Sequence, residues 1–359
     1  RARQPGTEAA SQNAGMLRRT GEDPVERALA VRSGSFYREP HSDWRDLNLS
    51  RETGAILALG RDPFGLHDAI AHLRAAGVKA ERITSLETIA PVFAGSPVHE
   101  GWLLPDERVA DGHALVQGFI RGLRRLGRNV ECGRAVTRLW TEGGRVRGVE
   151  TQQGRVEAAR VVLAAGAWSA ALARFAGLKR PLLPLRRTLL QTSASPTSSP
   201  DHPWCWIDDV GIYVRPEAGG WLCSPCDEAP ETGPSEDSRG SVAPRHEGLA
   251  AEKLERYFPA LSTLDFVGGW TGLRTFAPDR RPLMGPDPEL EGLWWAAGLG
   301  GFGLSCSPAV GEAVASWIQE LPVEWLPTEL VHPGRSFLKQ WPIRPDGDHH
   351  GSVMIHASA

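Results

Sequence analysis

The chain has 359 residues, of which 41% are hydrophobic and 23% charged, and its formal net charge is −3. This is the composition of a globular protein too long for one ordinary core, so two domains are expected. A small, evenly mixed charge speaks against nucleic acid or an anionic membrane as partner, and the longest apolar runs, such as 161–165 and 293–297, are far too short to span a bilayer.

The first residues, Arg1 to Glu8, show no strand pattern. Residues 22–38 read as a polar helix with Ala28, Val31 and Phe36 on one side. A strand follows at 55–59, then an amphipathic helix at 66–76 with Ile70, Leu73 and Ala76 inward, stopped by Gly77. Asp111 caps a helix running to Leu126, with Leu115, Val116, Phe119, Ile120 and Leu123 on one stripe, and Gly127 ends it. Strands are expected at 129–132, 135–142, 146–152, 155–158 and 160–165, as a three-stranded meander feeding a buried strand. Ser169 caps a short helix at 170–176.

Segments 187–194, 204–207, 212–215 and 220–224 read as one antiparallel sheet. Residues 225–245 are rich in Pro, Glu, Ser and Gly and read as an exposed loop before a helix at 247–258. A buried strand at 293–297 leads through a glycine turn into a helix at 305–318, with Ser305 or Ser307 as cap and Pro308 early in the helix. Past residue 332 there is no periodicity, and His349-His350 reads as solvated tail.

Five cysteines, Cys132, Cys205, Cys223, Cys226 and Cys306, suit a reducing compartment, so a cytoplasmic location is expected, with peripheral membrane attachment left open. Cys223-Ser224-Pro225-Cys226 follows a strand instead of opening a helix, and no second pair completes a zinc site, so both read as incidental thiols and no metal is expected.

Gly298, Gly300 and Gly303 fit G-x-G-x-x-G, a weak signal by itself. No second strand follows the helix, so the βαβ unit that a nicotinamide dinucleotide needs is missing there. A glycine turn opening a helix does let backbone N–H groups approach a ligand, and the helix dipole favours negative charge at that point.

Four motifs in fixed order carry a resemblance. They are Arg160 to Ser169 (R-V-V-L-A-A-G-A-W-S); Pro184-Leu185-Arg186-Arg187; Tyr213-Val214-Arg215-Pro216 with Gly219-Gly220-Trp221-Leu222; and Trp270-Thr271-Gly272-Leu273-Arg274 with Pro278-Asp279-Arg280-Arg281-Pro282-Leu283-Met284-Gly285 and the glycine turn. Together they resemble the D-amino-acid oxidase (DAO) superfamily of FAD-dependent amine oxidoreductases, nearest its D-arginine/D-amino-acid dehydrogenase-like and glycine/sarcosine oxidase-like branch, over about residues 5–320.

The resemblance implies an α/β (mixed α+β) fold of two interleaved domains. An FAD-binding Rossmann-like domain takes 1–50, 109–185 and 271–322, an antiparallel-sheet substrate domain takes 51–108 and 186–270, and 323–359 form a tail. Family members open with strand, G-x-G-x-x-G, helix and strand. That unit, roughly 30 to 40 residues, is not seen here, and the chain reads as a fragment of a longer frame or as one that lost its pyrophosphate cradle.

The implied reaction is hydride transfer from the α carbon of a D- or N-methyl amino acid to flavin N5, giving an imino acid, with oxygen or a quinone/electron-transfer acceptor as the next partner. Arg274 is implied as the carboxylate anchor, against an alternative in which it pairs with Asp279. Arg186 fits the second anchoring position, with Arg187 the alternative to face inward, because neighbours on a strand point oppositely. Tyr213 is a further carboxylate partner or a half-buried core tyrosine.

The implied FAD contacts are Asn13, Ala14 and Gly15 beside the ring; Val136 at adenine; Ala165, Gly166 and Trp168 under the adenosine half; and Gly272, Gly300, Gly301, Phe302, Gly303 and Leu304 at the ring. Asn13 and Gly272 stand where relatives carry a linking histidine or cysteine, so FAD is expected to be non-covalent. Met16, Leu17 and Gly21 imply a less polar side-chain pocket than the D-arginine branch has. The competing reading is a non-catalytic subunit or truncated remnant acting as a binding or assembly module.

Overall fold

The computed structural model describes residues 4–20, 23–60, 66–231 and 240–337. Among them the helices are α1 (Pro24–Arg38), α2 (His67–Ala75), α3 (Gly112–Arg125), α4 (Ser169–Arg174), α5 (Pro244–Tyr257) and α6 (Gly303–Ile318). His349 and His350 lie outside the described residues, as does Gly21.

The strand Ala55–Ala58 is buried at every position, as a run apolar on both faces should be, and this lets it sit in the middle of a large sheet. The order is Ala229–Pro230, Leu183–Thr192, Gly220–Ser224, Ile212–Glu217, Trp204–Ile207, Ala55–Ala58, Gly101–Leu104, Glu81–Ile83, with Phe266–Phe276 also pairing to Leu183–Thr192. Trp204–Ile207 runs parallel to Ala55–Ala58. The antiparallel sheet expected over 187–224 is therefore one part of a mixed sheet. Short-range patterning carries no information about that parallel join.

A second sheet places Leu293–Ala297 between Val161–Leu163, parallel, and Leu283–Pro286, antiparallel. Its Leu293, Trp295 and Ala297 point into the core, and the Trp295 indole donates to the buried Asp287 at 2.9 Å, which also holds Arg180. Val161–Leu163 was expected to be buried. Instead it is an edge strand among the described residues, with Val162 41% exposed. The meander forms from Val136–Glu142, Arg145–Thr151 and Gly154–Glu157, but 129–132 is exposed and makes no strand, and among the described residues no strand pairs with it.

Asp111 caps α3 as expected, its carboxylate accepting from the N–H groups of His113 and Ala114 at 2.7 and 3.2 Å. Leu115 and Ile120 face in, while Phe119 and Leu123 are exposed, so only part of the expected stripe is covered. In α2, Ile70 and Leu73 are buried and Ala76 is exposed. The face of α1 differs from expectation too. Val25, Leu29, Ala30, Ser33 and Tyr37 are fully buried, while Ala28, Val31 and Phe36 are half-buried against neighbouring core clusters.

The reason lies across the interface with α6. Pro308 stands inside α6 and has no N–H for the Leu304 carbonyl. The Tyr37 hydroxyl donates to that carbonyl at 2.5 Å, and the Ser33 hydroxyl accepts from Ala309 N–H at 3.1 Å. A serine turned inward by a partner on another helix is invisible to apolar periodicity. No serine caps α6: the helix starts at Gly303, Phe302 supplies no side-chain cap, and the Ser305 hydroxyl accepts from Arg18 N–H at 3.0 Å.

Gly118 of α3 lies flat against Trp44, and a Cβ at that position would sit 2.0 Å from the indole. Gly118→Ala is expected to cost about 1–3 kcal/mol through this overlap, read as a lowered midpoint in thermal or urea unfolding. An unchanged midpoint would mean that Trp44 moves aside freely.

Candidate active site

Two paired strands set the first wall. Leu183–Thr192 and Phe266–Phe276 run antiparallel with Leu185 opposite Arg274 and Arg187 opposite Gly272. Residues directly opposite share a face and the side-chain period is 2, so Arg187 and Arg274 project together and Arg186 projects the other way. Arg186 accordingly pairs with Glu231 at 2.7 Å and does not line the cavity, whereas Arg187 does.

The cavity has a volume of about 1140 Å³. Its walls bring together Asn13, Ala14, Gly15, Gly272, Arg274, Gly300, Gly301, Phe302, Gly303 and Leu304. Asn13 shapes the first of these segments: its Oδ1 accepts from Gly15 N–H at 2.7 Å and its Nδ2 donates to the Ala10 carbonyl at 2.6 Å. A side chain at Gly272 would run into Gln12 at 2.9 Å, so strand and loop meet backbone to backbone. The glycine turn is tied to the same strand, with Gly300 N–H donating to the Thr275 carbonyl at 2.9 Å. A Cβ at Gly301 would lie 2.6 Å from Arg274 Nη1. The N-terminus of α6, without a side-chain cap, thus abuts the guanidinium.

Arg274 is half-buried, and among the described residues no carboxylate pairs with it; its hydrogen-bond contact is the Tyr213 hydroxyl at 3.4 Å. Burial, with the neighbouring Arg187 charge, lowers its proton affinity below the usual arginine range. Asp279 is engaged elsewhere, held by the Arg335 fork at 2.7 and 2.9 Å. Tyr213 is fully buried, and burial pushes its hydroxyl up in pKa.

Pro225 to Glu228 were expected in an exposed loop, yet all four are buried. Their acids are paired over long range. Glu228 receives Arg187 at 3.0 Å and Arg280 at 2.9 Å, and Asp227 accepts from the Thr188 N–H and hydroxyl at 2.8 and 2.9 Å. Paired in this way, acidic residues can be buried despite their composition. Cys223 and Cys226 are free and buried. Among the described residues no group of His, Cys, Asp and Glu is placed to hold a metal, and no helix is long and apolar enough to cross a membrane.

Arg18, Glu26, Arg187, Trp206 and Glu228 also line the cavity and were not read from sequence as site residues, save Arg187 as the alternative to Arg186. The Arg18 guanidinium lies 4.0 Å from the Trp206 ring and 4.3 Å from the Phe302 ring, and it pairs with Asp208 at 3.7 Å. Glu26 sits in the first turn of α1, where burial pushes its carboxyl up to about 8 against the opposing pull of Arg18. Met16 is on the cavity wall and Leu17 is in the core. Strand register and helix facing would have found the charged residues; local pattern does not encode them.

Val136, Ala165, Gly166 and Trp168 are not on the cavity. Val136 and Gly166 are exposed, and Ala165 and Trp168 half-buried, beside the open edge of the second sheet.

The model of the FAD-dependent oxidoreductase family, DAO, matches residues 1–317. The chain belongs to this family. It is 30% identical over 256 residues to the 4-methylaminobutanoate oxidase (formaldehyde-forming) of Paenarthrobacter nicotinovorans, covering 67% of this chain but 30% of that protein. It is 28% identical over 303 residues to the glycine oxidase of Bacillus licheniformis, covering 79% of this chain and 74% of that one. The fold is similar to L-proline dehydrogenase from P. horikoshii, with TM-score 0.80 and 23% identity over 91% of this chain and 87% of that one. It is also similar to glycine oxidase from Geobacillus kaustophilus, with TM-score 0.79 and 22% identity over 92% and 90%.

The cofactor that this family implies fits the ring end of the cavity. Glycines at 15 and 300 with φ of +72° and +55°, and at 272 and 301 where a Cβ would collide, leave a backbone-lined slot beside the N-terminus of α6. A negative charge on a flat ring would be favoured there. The residues assigned to the adenosine half form an open surface among the described residues.

Glu26 gives a pH prediction. Its folded-state carboxyl is raised from 4.5 to about 8, so the folded form favours the protonated group. Its contribution to stability is full below the unfolded value and is lost as pH rises through the folded one. Stability measured by urea unfolding is expected to fall between those pH values, and Glu26→Gln to remove on the order of 1–3 kcal/mol of that fall. An identical slope in parent and variant would place Glu26 in water.

Proposed function

We propose that the chain is an FAD-dependent amine oxidoreductase whose substrate is a D- or N-methyl amino acid, bound by its carboxylate to Arg274 and released as an imino acid. The observation that carries this is the half-buried Arg274 guanidinium, unmatched by any described carboxylate and facing a cavity at the N-terminus of a helix. A guanidinium fork grips a carboxylate through paired charge-assisted hydrogen bonds. Tyr213 steadies the guanidinium from behind. Arg187 is occupied by Glu228, so Arg274 is the cation left to anchor the substrate.

FAD, when bound, supplies the hydride acceptor. The chain's own work is positional: Arg274 fixes the substrate's carboxylate end, the loop around Asn13 and the glycine turn exclude water from one face, and the α6 dipole favours negative charge. Names among the relatives support the substrate class, including glycine oxidase, dimethylglycine dehydrogenase and sarcosine dehydrogenase. Attachment of FAD is proposed as non-covalent, since Asn13 and Gly272 offer no nucleophile. Oxygen and a quinone both remain as acceptors in this reading.

The exposed Val136 and Gly166 favour a second reading, a family fold kept as a binding or assembly module. Reconstitution with FAD separates the two. The first reading expects flavin absorbance near about 450 nm to stay with the protein and to bleach with an amino acid substrate under anaerobic conditions. Arg274→Met is expected to keep the colour and raise KM by about 100-fold, the loss of a charge-assisted pair. A colourless protein supports the module. An Arg274→Met variant with unchanged KM removes the anchor.

A further inference from the structure

The cavity's charges match in pairs, with two exceptions. Arg187 and Arg280 share Glu228, Arg281 pairs with Asp23 at 2.6 Å, Asp279 pairs with Arg335, and Arg18 pairs with Asp208. Arg274 has no carboxylate, and Glu26 has no hydrogen bond or ion pair to its carboxyl among the described residues. Arg274 is a cation, and Glu26 is an acid that burial holds in its protonated form until a basic group beside it takes the proton.

Arg274 abuts Gly301, Arg18 covers the next ring along the turn, that of Phe302, and Glu26 lies by Arg18. Met16, Leu57, Leu66 and Trp206 line the same space with apolar surface. Arg18 itself is a poor counterion for a ligand anion, because two rings cover its guanidinium and Asp208 already offsets its charge.

Resting on the reading above, we propose that Glu26 is a specificity-determining residue that binds a second, basic group on the substrate, separated from the carboxylate by a methylene chain. The substrate class is then an amino acid with a cationic group some carbons away from the carboxylate on Arg274. The carboxyl of Glu26 makes a charge-assisted hydrogen bond to that group, and the apolar wall takes the chain between the two ends.

The test needs no turnover. Straight-chain alkanoates and ω-aminoalkanoates of equal, increasing length are titrated calorimetrically into the full chain. At one length the amino form is expected to bind about tenfold or more tighter than the plain form. In Glu26→Gln that ratio falls to about one, and in Glu26→Asp the preferred length grows by one methylene, a shift that a merely structural role for Glu26 would not produce. Equal affinities at every length in the parent, or a preference that survives in Glu26→Gln, overturns the role of Glu26 while leaving the Arg274 anchor intact. If plain alkanoates bind as well to Arg274→Met as to the parent, the anchor fails and this inference with it.

Discussion

A guanidinium largely withdrawn from water and without a protein carboxylate is costly, because a charge removed from water must be compensated by partners. Arg274 is such an object, and much of the architecture can be understood as holding it in place. The strand Phe266–Phe276 presents it, the ten-residue partner strand Leu183–Thr192 fixes which way it faces, and the glycine at 301 leaves space for it. The hydroxyl of Tyr213 is a neutral partner, which orients the cation and leaves its charge for a ligand. The same burial that lowers its proton affinity strengthens any carboxylate contact it makes.

The second support is the α1–α6 pair. A proline inside α6 would leave a carbonyl orphaned, and Tyr37 from α1 satisfies it. With Ser33 on Ala309, this anchors the helix from its flank and leaves the first turn of α6 uncapped toward the cavity. Elsewhere in the pocket, acids and arginines neutralise one another, and Glu228 between Arg187 and Arg280 is the clearest case. That pairing concentrates the available electrostatics on the groups left over.

The sequence is legible where the physics is local. The strand Leu293–Ala297, the glycine turn and α6 follow from a short apolar run, positive-φ glycines and helical periodicity, and the cap at Asp111 follows from its side chain. The positions around Asn13 and Gly300 came from resemblance and meet in one cavity. What was illegible depended on distant partners. Whether Arg186 or Arg187 faces in is decided by register against Gly272 and Leu273. The burial of Asp227 and Glu228 is decided by Thr188, Arg187 and Arg280. The parallel join of 55–58 to 204–207 spans nearly half the chain. The inward turn of Ser33 needs α6 to be in place.

The central claim is that Arg274 and the N-terminus of α6 serve one ligand. A crystal structure of the chain grown with a simple carboxylate tests it most directly. The account requires the carboxylate on the Arg274 fork, between Tyr213 and the Gly300–Gly303 turn. Arg274 turned onto Glu228 or another protein acid, with the carboxylate bound elsewhere or absent, would contradict it.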